Sequence, residues 1–183
     1  GDINAMIEAM TDGGYRKRGV LFTPEDALED DPVVFRYIRN YPERIEVLRG
    51  NSNYSIGGLK FSTASKHIHS VETYGFNFYL SDGVVSYITD TKFHPDLLTQ
   101  YPGDLLLLNV VLLAENPERQ IDHLSLDDVR ILLKETKAKA VVLTHFGMRM
   151  LQAKPWELAE RLTEETGVKV IAARDGMTWR LIK

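Results

Sequence analysis

The sequence has no cysteine among its 183 residues. Disulfide bonds and thiolate metal ligands are therefore excluded, and a cytoplasmic setting is the expected one. The chain also lacks an apolar run close to the roughly 20 residues that a membrane-spanning helix needs. The longest such run, 105–114, is interrupted by Asn109, and no signal peptide opens the chain. We therefore expect a cytoplasmic protein that does not enter a membrane.

Basic residues are too few for a protein that coats nucleic acid non-specifically. Lysine and arginine number 22 against 26 aspartates and glutamates, which gives a formal charge of −4, whereas such proteins are normally basic. A local site for a phosphate-bearing substrate remains compatible with this charge. The length and the apolar content of 44% suit one domain with a single core. We predict one domain over residues 1–183.

The spacing of apolar residues predicts an α/β protein with a mixed sheet. An amphipathic helix is under way from the first residues and ends at 11–14. Runs of β-branched and aromatic residues between turn residues predict strands at 19–22, 45–48, 59–64, 74–80, 84–90, 104–113, 140–143, 168–172 and 177–181. Helices are predicted from 23 onward and at 32–41, 95–101, 125–133 and 155–167. Tight turns favour antiparallel strands before Asp90, and the later alternation of strands and helices places helices over the sheet.

Four polar residues share one kind of position, the end of a strand or the loop just after it. They are His69, Asp90, His123 and His145. Imidazole and carboxylate together suit zinc, manganese or iron, and one carboxylate can bridge two cations. Each residue alone has an ordinary structural interpretation, a histidine bonded to a backbone carbonyl or an aspartate that caps a turn. Their coincidence favours a metal or catalytic site.

The motifs around these residues resemble a known family. His69 with Gly75-Phe76, Ile88-Thr89-Asp90-Thr91 and Leu143-Thr144-His145-Phe146, in this order and spacing, are similar to the later metal motifs of the metallo-β-lactamase-fold hydrolases. Asp122-His123-Leu124-Ser125 before a helix resembles the branch of tRNA 3′-end endonucleases (RNase Z) and phosphoribosyl cyclic phosphodiesterases. The similarity covers nearly all of the chain. It implies an αββα sandwich and a metal-dependent hydrolase.

The resemblance also implies a role for each residue. His69 would ligate one metal and His145 the other, Asp90 would bridge them, and His123 would be a non-ligand that protonates the leaving oxygen or steadies the scissile phosphate. The cofactors would be two divalent transition metals, zinc with manganese or iron as alternatives, which activate water and clamp a phosphodiester. Arg149, in the loop 146–150, could bind the phosphate, although a plain surface arginine fits its position equally well.

One family motif is missing from the sequence. Family members carry His-X-His-X-Asp-His at the end of an early strand, directly before a helix, and this chain contains no such motif. We expect that the chain lacks its N-terminal strands, that strands 19–22 and 45–64 would border them, and that the open sheet edge leads to a homodimer. Two further histidines are expected outside the site: His67 faces the other way, and His94 begins a surface helix at Pro95.

The most favoured function is a phosphodiesterase or nuclease-like hydrolase that acts on a small-molecule or nucleic-acid phosphodiester. Two alternatives remain, because a fold does not fix the chemistry it carries. One is a hydrolase of thioesters or lactones on the same fold. The other is a metal-free, non-catalytic remnant that acts by association.

Overall fold

The structure, a computed structural model, describes residues 2–115, 118 and 120–179. The chain divides into two compact units, Gly1–Arg49 and Gly50–Lys183. The single domain that the sequence predicts stays a prediction. Among the described residues, no helix has the length and apolar character that crossing a membrane would require.

The first unit is a helix beside a two-stranded parallel sheet. Helix α1 covers Asp2–Thr11, and strands β1 (Val20–Thr23) and β2 (Arg44–Val47) pair in parallel. The apolar side of α1 packs through Ile7 on a small core, as its spacing predicts. The remaining buried members of this core are Ala27, Val34 and Ile38.

The prediction of two helices after β1, from 23 onward and at 32–41, is wrong. Only short 3₁₀ turns form there, at Asp26–Leu28 and Arg36–Ile38. The buried side chain of Asn4 explains the second difference, because its Nδ2 donates to the carbonyl of Val33 at 2.8 Å and its Oδ1 accepts from the N–H of Phe35 at 3.0 Å. These main-chain groups are thereby diverted from helical hydrogen bonds, and Pro32 also disfavours a helical conformation just before it.

The second unit is built on a larger mixed sheet. Its strands are β3 (Asn53–Ile56), β4 (Leu59–Lys66), β5 (Tyr74–Leu80), β6 (Gly83–Ile88), β7 (Leu105–Leu112), β8 (Leu124–Ser125), β9 (Ala140–Thr144) and β10 (Lys169–Ala172). The order is β10-β9-β7-β6-β5-β4-β3, and β8 pairs with β7. The pairs from β3 to β6 are antiparallel, as predicted, and the pairs from β6 to β10 are parallel. The expected grouping of 45–64 into one sheet is wrong, because β2 pairs with β1 while β3 and β4 extend the larger sheet.

Three helices pack on the parallel half of this sheet. They are α2 (Leu126–Glu135), α3 (Met148–Gln152) and α4 (Pro155–Thr166). Fully buried leucines and valines of β7 and β9 form the centre of the core, against Val129 of α2 and Leu162 of α4. Strand β7 is almost continuously apolar because parallel strands are covered on both faces.

Three segments differ from the sequence predictions. The expected helix at 95–101 is a 3₁₀ turn at Pro95–Leu98, and the expected loop 146–150 contains the start of α3. Residues 177–179 of the predicted last strand form no strand, and its remainder lies outside the described residues. The register of the sheet matters most for function. Ile88 pairs with Leu108, which pairs with Leu143, so the chain leaves β6, β7 and β9 at one edge of the sheet.

Candidate metal centre

The four predicted site residues meet at this edge. Asp90 follows the end of β6, and His145 follows the last residue of β9. His123 precedes β8, which pairs with β7, and His69 lies in the loop that enters β5. Because β5 runs antiparallel to β6, the start of β5 lies beside the end of β6. Sheet topology alone therefore brings side chains from distant parts of the sequence to one place.

Asp90 lies at the centre of this group. Its Oδ1 is 3.4 Å from Nε2 of His145 and 3.7 Å from Nδ1 of His123. The ring of His123 contacts the ring of His69, with 5.2 Å between centroids, and that of His145, with 6.0 Å. One potential ligand atom each from His69, Asp90 and His123 lie within 4.8 Å of one another. Nitrogen and oxygen donors at this separation could hold a divalent transition metal, and His145 lies outside this group of three.

A hydrogen-bonded pair of side chains orients the carboxylate of Asp90. Asn109 Nδ2 donates to Asp90 Oδ1 at 2.9 Å, and Tyr87 Oη donates to Asn109 Oδ1 at 3.0 Å. Asn109 is 7% exposed, and burial raises the pKa of Tyr87, which keeps that hydroxyl a donor. Neither residue is among the site residues that the sequence predicts. The signal was present, because a polar residue inside an apolar strand needs a buried partner.

Two hydrogen bonds between neighbouring residues hold His69 beside Asp90. The N–H of Ile68 donates to Thr91 Oγ1 at 3.1 Å, and the N–H of Lys92 donates to the carbonyl of Ile68 at 2.9 Å. Thr91 is almost fully buried. The residues on either side of the two candidate ligands are thereby joined, which limits how far His69 and Asp90 can separate.

The position of His123 is set by the start of α2. Ser125 and Asp128 form the predicted capping box: the N–H and Oγ of Ser125 both donate to Asp128 Oδ2 at 2.8 Å, and the N–H of Asp128 donates to Ser125 Oγ at 3.3 Å. Two residues earlier, Nδ1 of His123 is buried and has no hydrogen-bond partner among the described residues. Burial lowers the pKa of His123, and the carboxylate of Asp90 opposes that effect.

The unpaired nitrogen of His123 is evidence that the site accommodates a further group. Buried polar atoms in folded proteins are nearly always paired, and this one lies 3.7 Å from a carboxylate oxygen. A cation or a phosphate oxygen between the side chains would supply the missing partner. The donor set, imidazoles around one carboxylate, therefore fits the metal that the resemblance implies.

The backbone at His145 is strained. Its φ is +60°, a left-handed conformation that costs free energy for a residue with a side chain. The turn that follows is equally tight, since a Cβ at Gly147 would lie 2.5 Å from the carbonyl oxygen of Val111. Such strain persists where the surrounding structure enforces it, and it clusters at functional sites.

The other predicted residues have different outcomes. The structure agrees with the expectation for His67, whose ring nitrogens are bonded to the main-chain carbonyl of Asp90 and to the hydroxyl of Tyr101. The expectation for His94 is wrong in part: it does begin a helical turn, but it is 9% exposed and its ring packs against that of His67. Leu97, in the same turn, belongs to the main core and draws His94 inward. Arg149 is exposed on α3, and its role in binding the phosphate stays a prediction.

Comparison with known proteins identifies the family. The model of the beta-lactamase superfamily domain matches residues 4–146. The chain belongs to this superfamily. The protein MJ1374 of Methanocaldococcus jannaschii is 29% identical to it over 191 residues, covering 99% of this chain and 69% of the relative.

Solved structures agree on the fold. The metallo-β-lactamase fold protein YhfI from Bacillus subtilis superposes with a TM-score of 0.78 at 16% identity, over 97% of this chain and 72% of that one. A diphosphatase from the PhnP family gives 0.66 at 22% identity, over 96% and 62%. Human tRNase Z, short form, gives 0.62 at 12% identity, over 97% and 74%. The chain therefore has the metallo-β-lactamase fold of a superfamily of metal-dependent hydrolases, as the sequence motifs predict.

Proposed function

We propose that the chain is a metal-dependent phosphodiesterase of the nuclease-like type. The observation that carries the proposal is the convergence of three histidines on the carboxylate of Asp90, one of them with a buried and unpaired ring nitrogen. Two of the structurally similar proteins are a diphosphatase and a tRNase Z. Both names describe cleavage at phosphate, which favours this chemistry over others carried by the same fold.

His69, Asp90 and His145 are the residues that would hold the metal. Zinc is the first choice for imidazole and carboxylate ligands, and manganese or iron are alternatives. When bound, the metal supplies an activated water and stabilises negative charge on the phosphoryl oxygens. Two imidazoles and one carboxylate are fewer ligands than two such ions need. We therefore propose a second metal only for a form of the protein in which further ligands are provided.

His123 would act on the leaving group. Its ring lies between those of His69 and His145, and its Nδ1 faces Asp90 without a hydrogen bond. In this position the ring can hold a proton close to an alkoxide that departs from phosphorus, and proton donation by a positioned side chain is worth about 10²–10⁴-fold in rate. The same geometry would also allow His123 to ligate a metal, and metal content of a variant separates the two roles.

The substrate would be a small-molecule or nucleic-acid phosphodiester. Arg149 follows His145 by four residues and is exposed, so its guanidinium is free to approach a phosphate in a bidentate manner. The cytoplasmic location and the homodimer belong to the same proposal. Overall negative charge favours a substrate with a local phosphate contact over a long nucleic acid held by its backbone.

Hydrolysis of bis-p-nitrophenyl phosphate, with a thioester as the comparison, tests this function. We expect metal-dependent cleavage of the phosphodiester that Asp90→Ala abolishes together with metal binding. Tyr79→Phe, whose hydroxyl bonds Ser62 outside the candidate centre, should retain both. His123→Ala should keep its metal and lose turnover. The loss should be smaller on p-nitrophenyl esters such as this substrate than on phosphodiesters with an alkoxide leaving group, because p-nitrophenolate needs little protonation. Cleavage of the thioester alone would favour an acyl hydrolase, and loss of metal in His123→Ala would make this residue a ligand.

A further inference from the structure

His67 is bonded to the main chain of Asp90 and is not one of the four residues of the candidate metal centre. His67 is 4% exposed, and both of its ring nitrogens are hydrogen-bonded. Nδ1 is 3.2 Å from the carbonyl oxygen of Asp90 and 3.2 Å from Thr89 Oγ1, and Nε2 is 2.6 Å from Tyr101 Oη. The ring therefore connects a tyrosine on a distant loop to the main chain of the central site residue.

The partners of His67 determine where its proton lies. A carbonyl oxygen only accepts, so Asp90 needs a donor at Nδ1. The single hydroxyl proton of Thr89 goes to the carbonyl of Tyr74 at 2.7 Å, and toward His67 this hydroxyl can therefore only accept. Nδ1 must then carry the hydrogen, and Nε2 of the neutral ring accepts from the hydroxyl of Tyr101. His67 is 4% exposed, and burial favours the neutral form of a histidine ring.

We propose that Tyr101 and His67 form a positioning relay for the metal centre, in which Tyr101 Oη–H donates to His67 Nε2 and His67 Nδ1–H donates to the carbonyl of Asp90. The relay fixes the main chain of Asp90, while Asn109 fixes its carboxylate from the other side. The inference rests on the proposed function in one respect, that Asp90 is a metal ligand. Groups that orient a ligand from outside typically change metal affinity about 10–100-fold when removed.

Gly75 keeps the space that the relay needs. A Cβ at this position would lie 2.1 Å from Tyr101 Oη and 2.7 Å from its ring. Gly75 is not among the residues with positive φ, so its backbone conformation would accept another residue. The glycine is required because any side chain would displace the hydroxyl of Tyr101 from His67. This gives a physical reason for Gly75 in the motif that follows His69.

Zinc affinity, measured by competition with a chromophoric chelator, tests the relay. Tyr101→Phe removes only the hydroxyl and Gly75→Ala displaces it, and we expect each to weaken zinc binding about 10–100-fold. Tyr79→Phe is the matched control, because Tyr79 Oη also bonds a side chain, Ser62 Oγ at 3.0 Å, on a part of the sheet outside the relay. This control should bind zinc normally.

The two substitutions at His67 itself give a graded result. In His67→Asn the side-chain amide can replace Nδ1–H as donor to Asp90, whereas His67→Leu has no donor. We expect zinc affinity to fall less in the asparagine variant than in the leucine variant. Urea unfolding of each variant shows whether it is folded at the temperature of the zinc titration.

The proton position can be measured without metal or substrate. Nitrogen-15 NMR of the histidine rings in the metal-free protein should show His67 with its hydrogen on Nδ1 and Nε2 unprotonated. A hydrogen on Nε2, or zinc affinity in Tyr101→Phe equal to that in Tyr79→Phe, would overturn the relay. A failure to hydrolyse phosphodiesters, with the tautomer and the zinc affinities as expected, would overturn the proposed function and leave the relay intact.

Discussion

The start of α2 offers a sharp test of how the fold positions the site. Ser125 is 0% exposed and its hydroxyl makes two of the three hydrogen bonds of the capping box. In Ser125→Ala, the N–H of Asp128 loses its acceptor and the carboxylate of Asp128 loses one of its two donors. The remaining donor, the N–H of Ser125, is unchanged.

The size of the effect follows from these two losses. Replacing a serine N-cap by alanine costs about 0.5–2 kcal/mol. A hydrogen bond to a charged group is worth about 1.5–3 kcal/mol. The two costs do not add in full, because the loss of the helix cap is counted in both. We therefore expect Ser125→Ala to lower the free energy of unfolding by about 2–4 kcal/mol. Turnover should fall as well, because His123 enters the site two residues before the cap.

Urea unfolding followed by far-UV circular dichroism measures this loss. Ser55→Ala is the matched control, since Ser55 is exposed on edge strand β3, and surface substitutions usually change stability by less than about 0.5 kcal/mol. The midpoint should shift in Ser125→Ala while the slope stays constant. A loss no larger than that of Ser55→Ala would refute the idea that the capping box fixes this end of α2.

Three further results are expected. Asp104→Asn should destabilise the protein near neutral pH and not in strong acid. The Val84 N–H and then Lys139 lower the pKa of Asp104 in the folded protein. The stabilisation that the ionised carboxylate provides is therefore present above the ordinary pKa of 3.8 and is lost as the pH falls through the native pKa. Equal destabilisation at both pH values by urea titration would argue against it. Leu143→Ala, at a fully buried position, should cost about 2–5 kcal/mol by the same method, and a cost below that of an exposed leucine variant would contradict the core assignment. Size-exclusion chromatography with light scattering should give a dimer, and a mass of 20.8 kDa would contradict the predicted homodimer.

Local chemistry decided which elements the sequence could predict. Helix α4 begins at Pro155 and ends at Gly167, whose φ is +73°, and both signals are legible in the sequence. Strand β3 carries only two apolar residues, and it exists because β4 pairs with it. The segment after β1 has a good helix start in sequence, yet the side chain of Asn4 takes its main-chain groups from a distance of about thirty residues. Contacts of that kind override local preference.

The candidate ligands were predictable for a topological reason, whereas their supporting residues were not. His69, Asp90 and His145 each follow or precede a strand, and strand ends of known direction meet at known edges. Asn109 and Tyr101 support Asp90 through side-chain hydrogen bonds whose partners depend on the exact register between β6 and β7 and on the path of a loop. Sequence shows that a buried polar residue needs a partner. It does not show which one.

Strand β6 explains why the site forms at Asp90. It pairs antiparallel with β5 on one side and parallel with β7 on the other. At its carboxyl end the chain therefore meets the beginning of β5, with His69, on one side and the ends of β7 and β9, with His145, on the other. The carboxylate of Asp90 lies near His123 and His145, and the ring of His123 contacts the rings of His69 and His145. Displacement of Asp90 should therefore disturb both halves of the centre, and this residue is held at its main chain by His67 and at its side chain by Asn109.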